Sequence, residues 1–423
     1  MAEQEFLTKL FDSAIAAADA KLALSAHLPA KPKGRTIVIG AGKGAAQLAA
    51  AFEELWDSPV EGVVVTRYGY GCPCRHVQVL EAAHPVPDAA GLQASRAIFA
   101  ALEGLTEDDL VVALVCGGGS ALLAAPAEGL DLSDEIALNQ ALLASGAPIG
   151  AMNAVRKQVS AIKGGRLAAS AFPARVVSLI VSDVPGDDPA QVASGPTVPD
   201  AVGRVEALAA VRDYKIKLPG KIATFLRTAS EDAPSPDDPR FARNEVHVIA
   251  SAAKSLEAAA QKAQAAGVGA VILSDAIEGE AREIAKMHAA IAREVVTKGR
   301  PFVPPVVILS GGETTVTLHG NGKGGRNSEF LLSFAMEIDG LEGITALAAD
   351  TDGIDGSEDN AGAFADGETA TKMRLAGVDP AQALANNDAW TAFDAVDGLF
   401  VPGPTGTNVN DFRAVFVGQR PWS

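Results

Sequence analysis

Cysteine is scarce in this chain: three residues among 423, two of them in Cys72-Pro73-Cys74. Three thiols do not make a disulfide framework, and they fit a reducing cytoplasm. The Cys-x-Cys pair is not continued into the four-ligand pattern of a zinc site. Long apolar runs are missing as well. Hydrophobic residues reach 48% and mean hydropathy is +0.17, yet no run is long enough to span a membrane. Abundant Ala and Val account for the hydropathy, as buried parallel strands and helices would. No apolar signal core follows Met1-Ala2-Glu3-Gln4-Glu5; an amphipathic helix does, with Phe6, Leu7, Leu10, Phe11 and Ile15 at helical spacing. Basic residues are in deficit, 35 against 52 acidic, for a net charge of −17 and a pI near 4.8. Such a surface repels nucleic acid and anionic membranes and leaves small molecules as partners. An anionic substrate then needs a locally positive cleft, so cations inside glycine-rich loops become informative.

Glycine, by contrast, is concentrated where strands end. The densest stretch runs from Gly311-Gly312-Glu313-Thr314-Thr315 to Gly324-Gly325-Arg326-Asn327-Ser328-Glu329. It follows the apolar strand 306–309 and ends where a helix begins near Ser328. Glycine lets backbone N–H groups turn toward a ligand, and Arg326 supplies a planar fork for carboxylate or phosphate.

A chain of this length predicts two domains. Strand 36–39, the turn Gly40-Ala41-Gly42-Lys43-Gly44-Ala45 and helix 46–56 match a dinucleotide-type fingerprint in its strand–turn–helix context. The next strand ends in Thr66-Arg67, where a nicotinamide enzyme would place an acidic ribose ligand, and Lys43 points a cation at whatever is bound. His84-Pro85-Val86-Pro87-Asp88 reads as a rigid loop with Asp88 capping helix 89–102 and His84 more structural than catalytic. Strand 109–116 leads into Gly117-Gly118-Gly119-Ser120, a nest of N–H groups suited to phosphate. Arg156, Lys163 and Arg166 cluster on a helical stretch that faces either the cleft or solvent. Strand 176–181 ends in Ser182-Asp183, where Asp183 is placed to hold Mg²⁺ or take a proton. A polar, proline-rich connector at 228–243 suggests a boundary, and the βα rhythm restarts with strand 246–249. The strand 344–349 ends in Asp350-Thr351-Asp352-Gly353, after which helices are expected to about residue 393. The loop 403–411 precedes a final strand.

The reading is therefore α/β with two domains, a Rossmann-like doubly wound N-terminal domain at 1–235 and a smaller α/β domain at 244–423, with a cleft between them and sheets that are parallel or mixed. Glycine nests, cations and strand-end carboxylates (Asp183, Glu313, Asp350, Asp352) form the parts list of phosphoryl transfer, which needs positioning and charge neutralisation.

At Gly40-Ala41-Gly42-Lys43, Gly117-Gly118-Gly119-Ser120-Ala121, Ser182-Asp183-Val184-Pro185-Gly186-Asp187, Ser194-Gly195-Pro196-Thr197, Gly311-Gly312-Glu313-Thr314, Gly324-Gly325-Arg326-Asn327 and Asp350-Thr351-Asp352-Gly353, the chain resembles the type II glycerate 2-kinases. That family carries a MOFRL domain at its C-terminal end; here the name-giving letters would read Asn327-Ser328-Glu329-Phe330-Leu331. The resemblance implies ATP- and Mg²⁺-dependent phosphorylation of D-glycerate to 2-phosphoglycerate, with Lys43 and Arg326 as principal catalytic cations. On this basis Lys43, Arg326 and Asp183 are expected to be catalytic. Gly117, Gly118, Gly119, Ser120, Gly311, Gly312 and Glu313 would bind ATP. Lys43, Asn153, Arg156 and Arg326 would bind glycerate, and Asp183, Asp350 and Asp352 the metal. Members are often labelled hydroxypyruvate reductases, so NAD(P)H-dependent reduction is the alternative. A non-catalytic sugar-acid regulator is the third class. Oligomeric state, a homodimer included, stays open.

Overall fold

The computed structural model describes residues 2–229 and 232–418. Two compact units form: one is Ala20–Ile249, the other combines the chain before it with the chain after it.

The first unit is built on β1 (Thr36–Ala41), β2 (Glu61–Arg67), β3 (Val77–Ala82), β4 (Leu110–Cys116), β5 (Arg175–Val181) and β6 (Glu245–Ala250). Their order is β3-β2-β1-β4-β5-β6, and the pairings β1–β2, β1–β4, β2–β3 and β4–β5 are parallel. This is the doubly wound order, with a switch point between β1 and β4. Strands β1 and β4 are buried at every position, which calls for continuous apolar runs rather than alternation. Ile37, Ile39, Val111, Ala113 and Val115 share a core with Ala94 and Ile98 of the helix Ala89–Ala101. Asp88 caps that helix, accepting from the Gly91 N–H at 3.0 Å. A separate helical core joins Leu138, Leu142, Val155, Ile222 and Leu226.

The second unit contains β7 (Gly269–Ile272), β8 (Gly279–Glu280), β9 (Val306–Gly312), β10 (Thr314–Thr315), β11 (Ile344–Asp350), β12 (Gly362–Asp366), β13 (Leu399–Phe400) and β14 (Asp411–Val417). Its main sheet has the order β13-β12-β11-β14-β9-β7. Only β7–β9 is parallel there; the other four pairings are antiparallel. Alternate residues feed two cores. Val306, Ile308, Ala346, Ala348, Val415 and Val417 pack under the helices Ala281–Lys298 and Arg326–Glu337. Val307, Leu309, Leu347, Ala349, Ala414 and Phe416 pack under Ala2–Ala17 and Ala252–Ala265. The N-terminal helix thus belongs to this unit. Its stripe Phe6, Leu7, Leu10 and Phe11 is buried, and Phe11 meets Phe400 and Phe412 edge-on, with centroids 5.1 and 5.7 Å apart. Full burial of each such side chain contributes about 1.5–3 kcal/mol, enough to carry the helix to the end of the chain that leaves a sheet face uncovered.

Three expectations shift accordingly. The strand assigned to the start of the C-terminal domain is β6, an edge of the first sheet. The connector is also part of the first unit: Asn244 Oδ1 accepts from the Val176 N–H at 3.0 Å, and Arg243 donates to the carbonyls of Glu107 and Pro173. Ser230 and Glu231 of that connector lie outside the described residues. Finally, β12 interrupts the stretch read as wholly helical to about residue 393, because a short Ala- and Gly-rich strand lacks the Val/Ile signature.

Candidate functional site

In the first unit, polar chemistry gathers at the carboxyl ends of β1, β4 and β5, beside the switch point. Gly42 has φ +135°, and a Cβ there would lie 2.4 Å from the Cys116 carbonyl oxygen. Only glycine fits. Beside it, the Lys43 N–H donates to the Gly117 carbonyl at 2.9 Å, and the Thr66 hydroxyl donates to the Lys43 carbonyl at 3.0 Å. The Gly44 N–H reaches Cys116 Sγ at 3.2 Å. Neighbouring strands therefore fix the Lys43 backbone, while its half-buried ammonium makes no hydrogen bond or ion pair among the described residues.

The second loop faces the same place. Gly118 is left-handed, φ +81°, and a Cβ on it would come within 3.2 Å of His84 Nε2 and Lys43 Cγ. A Cβ on Gly117 would lie 2.0 Å from Asp183 Oδ2. Lys43, His84 and Asp183 thus border one glycine run. The N–H groups of Gly118, Gly119 and Ser120 have no backbone acceptor among the described residues, as a phosphate nest requires. Burial, then the charges of Lys43 and Arg67, lower the His84 pKa to about 4, so the imidazole is neutral at pH 7. Burial pushes the Cys116 thiol up to about 12, which leaves it inert.

Ser120 continues the network. Its hydroxyl lies 2.7 Å from that of Ser194, which donates to Asn153 Oδ1 at 2.9 Å. Asn153 Nδ2 donates to the Gln191 carbonyl and Oε1, and Arg156 Nη1 donates to Asn153 Oδ1 at 3.2 Å. Asn153 is fully buried with both ends of its amide engaged. It orients Arg156 and Ser194. Lys163 and Arg166 are committed to partners within the unit. Lys163 is buried on Glu135 and the Leu123 carbonyl, and Arg166 donates to the carbonyls of Lys157 and Lys163.

In the second unit, Arg326 opens the helix Arg326–Glu337. Its Nε donates to Asp411 Oδ1 and its Nη2 to Asp350 Oδ2, both at 2.6 Å, and Glu313 lies 3.9 Å away. Burial alone would lower the guanidinium pKa; Asp411, Asp350 and Glu313 reverse that and raise it. Asp411 is a hub. It also accepts from Asn327 Nδ2 at 2.8 Å, from the Thr314 N–H at 3.1 Å, and from the fully buried Arg413. Burial opposes its ionisation, but Arg413 and Arg326 hold its pKa below the usual range. Asp350, buried and close to Asp352 and Asp411, is pushed well above that range despite Arg326. Asp355 accepts from the N–H groups of Asn327 and Ser328 at 2.9 and 2.7 Å and ties down the helix start.

The glycine-rich stretch is not the anion cradle that its composition suggests. Gly311 and Gly312 are strand residues of β9. The Gly311 N–H donates to the Ser274 carbonyl, its carbonyl accepts from the Ile277 N–H, and a Cβ on Gly312 would lie 2.3 Å from Ile277 N. Their small size admits the crossing segment 274–277. The N–H groups of His319, Gly320 and Lys323 are bound by Asn387 and Asp388 side chains. Glu313 is exposed. Sequence reasoning did not single out Asp411, Arg413 or Asp355. Asp411 closes a polar glycine loop at a strand start, the one local signal available; its partners lie far away in sequence.

Among the described residues, no group of three His, Cys, Asp or Glu side chains is arranged to hold a metal by itself. Mg²⁺ suits a sparser set, since it is held through one or two carboxylates together with substrate phosphates. Asp183 beside the Gly117 nest has that character: a carboxylate at an anion nest fits when a cation sits between.

A doubly wound sheet with an N–H nest, a lysine and a carboxylate at its switch point has the form in which α/β-class enzymes place their ligand sites. Residues 6–227 match the domain of unknown function DUF4147, and residues 306–411 match the MOFRL family. A D-glycerate 2-kinase from Thermotoga maritima is 40% identical over 92% of this chain and 92% of its own. A putative hydroxypyruvate reductase from Agrobacterium vitis is 50% identical over 98% of this chain and 94% of its own. The crystal structure of glycerate kinase from Thermotoga maritima superposes with a TM-score of 0.89 at 37% identity, covering 99% of this chain and all of that one. The chain belongs to the type II glycerate 2-kinase family.

Proposed function

We propose that this chain is an ATP-dependent glycerate 2-kinase, a phosphotransferase with an alcohol acceptor. The observation that carries the reading is the Lys43 side chain against Gly118, its ammonium without a hydrogen bond or ion pair among the described residues, with Asp183 against Gly117. The 2-hydroxyl oxygen of D-glycerate forms a bond to the γ-phosphorus of ATP, the bond from that phosphorus to the bridging oxygen breaks, and ADP leaves. The hydroxyl proton is released as the phosphate ester forms. A loose transition state of this kind asks for charge neutralisation and alignment more than for a strong base. The N–H groups of Gly118, Gly119 and Ser120 hold phosphate oxygens, and Lys43 offsets the charge on the transferring group. Asp183 would hold Mg²⁺ in the first unit, and Asp350 with Asp352 offer carboxylates in the second; a bound Mg²⁺ neutralises phosphate charge. Arg326 supplies a cation whose orientation is set by Asp411 and Asp350. Arg156, oriented by Asn153, takes the substrate carboxylate. The reducing cytoplasm is the proposed location, in keeping with three free thiols.

The reductase name carried by the Agrobacterium vitis relatives is the competing reading. Against it stands the end of β2, where Thr66 is buried and bonded to the Lys43 carbonyl and no acidic side chain follows. A coupled assay with ATP and D-glycerate, run beside NADPH oxidation with hydroxypyruvate, separates the two. ADP formation only with glycerate supports the kinase; hydroxypyruvate-dependent NADPH oxidation without ADP formation rejects it. Lys43→Ala should lower kcat about 10²–10³-fold with the fold intact.

A further inference from the structure

His84 stands at the Gly117–Ser120 run with its ring uncommitted. Other groups hold its loop. Asn139 Nδ2 donates to the Pro85 carbonyl at 3.0 Å, and Asp88 caps the following helix and accepts from the Tyr68 hydroxyl at 2.8 Å. Pro85 and Pro87 fix φ between those anchors. The imidazole itself makes no hydrogen bond among the described residues. Its Cδ2–Nε2 edge faces Gly118: both ring atoms lie 3.2 Å from where a Cβ on that glycine would stand, and so does Lys43 Cγ. A half-buried ring nitrogen has lost part of its hydration, and here no protein partner offsets the loss. The ring is neutral at pH 7. It therefore carries one N–H and no charge, and can share the glycine run with Lys43 without repulsion.

We infer that His84 is a phosphate-binding residue of this site, and that its Nε2–H donates to an oxygen of the phosphate chain lying on the Gly118 and Gly119 N–H groups. Lys43 and His84 then divide the work. The ammonium is a point charge on a flexible stem and attracts from many angles. The imidazole N–H lies in the ring plane on a fixed loop, so it sets the place of one oxygen. That the phosphate is ATP's rests on the kinase reading; the contact itself does not.

The test is calorimetric titration of the full-length protein with inorganic triphosphate in the presence of Mg²⁺, beside the coupled assay with ATP and D-glycerate. His84→Ala should weaken triphosphate binding about tenfold and raise KM for ATP by a similar factor, with KM for D-glycerate unchanged. His84→Gln, whose amide N–H₂ reaches toward the place of Nε2, should recover most of that loss. In the wild type, triphosphate should slow carbethoxylation of His84 by diethyl pyrocarbonate, read by mass spectrometry, and leave that of the exposed His76 unchanged. Wild-type affinity in His84→Ala, or no recovery in His84→Gln, overturns the contact. Unprotected His84 at saturating triphosphate overturns it too, even if both variants fail to fold. Absence of triphosphate binding overturns it while ADP formation leaves the kinase standing. Protection of His84 without ADP formation keeps the contact and rejects the kinase.

Discussion

Replacing Asp411 by Asn should cost the second unit several kcal/mol, because one carboxylate there balances two arginines. Its Oδ1 takes Arg326 and Asn327, and its Oδ2 takes Thr314 and Arg413. Arg413 has no other carboxylate within ion-pair distance among the described residues; its remaining partners are the Gly311 carbonyl, the Thr314 hydroxyl and the face of Phe330. Asparagine removes the charge and turns an amide NH₂ toward a guanidinium. Leaving a fully buried cation unpaired costs about 3–5 kcal/mol, a large part of a typical stability of about 5–15 kcal/mol. Each kcal/mol shifts Tm by about 2–4 °C for a unit of this size, so the variant should melt roughly 10 °C lower. Urea unfolding followed by circular dichroism at pH 7 measures the difference directly. The pairing account adds a second requirement. Asp411→Asn combined with Arg413→Met should lose clearly less than the sum of the two single changes, since the double variant has no stranded charge. A single-variant loss below about 1 kcal/mol, or strict additivity in the double variant, refutes the idea that Asp411 is held as a counter-charge.

Other outcomes follow from the same structure. Gly42→Ala places a methyl 2.4 Å from the Cys116 carbonyl at φ +135°; thermal melts should show a loss of about 2 kcal/mol or more, and turnover should fall as the Lys43 loop shifts. His288, buried with its ring nitrogens 2.9 Å from the Ile284 carbonyl and the Ser310 hydroxyl, has its pKa lowered to about 4 by burial and then by Arg413. The folded state binds its proton less readily than the unfolded chain, so this contribution is complete above pH 6.5 and is lost as pH falls toward 4. The loss approaches roughly 3 kcal/mol, and His288→Gln should flatten the stability profile in that window by denaturant titration. Lys43→Ala should abolish most ADP formation while its melting curve stays near that of the wild type, because its ammonium makes no hydrogen bond or ion pair among the described residues; a cooperative loss of structure would show that Lys43 acts in the fold instead.

Much of the architecture could be read locally. Continuous runs such as Val111-Val112-Ala113-Leu114-Val115 declared buried strands, and glycines directly after them marked loops at carboxyl ends. Asp88 as a cap depends on its immediate neighbours, and the structure agrees. The series of short motifs was enough to indicate the family. The buried, fully bonded amide of Asn153 was not legible locally, because its partners Gln191 and Ser194 lie about forty positions away. The run 311–325 was misjudged because glycine serves equally to admit a ligand and to admit a neighbouring segment, and here residues 274–277 and 386–388 occupy the space.

Composition and order along the chain thus determined the strand and helix content, the acidic surface and the placing of Lys43 in a turn after β1, since each depends on contacts within a few residues. Only the tertiary structure decided that the N-terminal helix covers the second sheet, that Arg326 meets Asp411 from 85 positions away, and that Glu135 keeps one oxygen without a partner among the described residues. Those outcomes depend on which distant groups share a buried volume, and burial sets their charges and their partners.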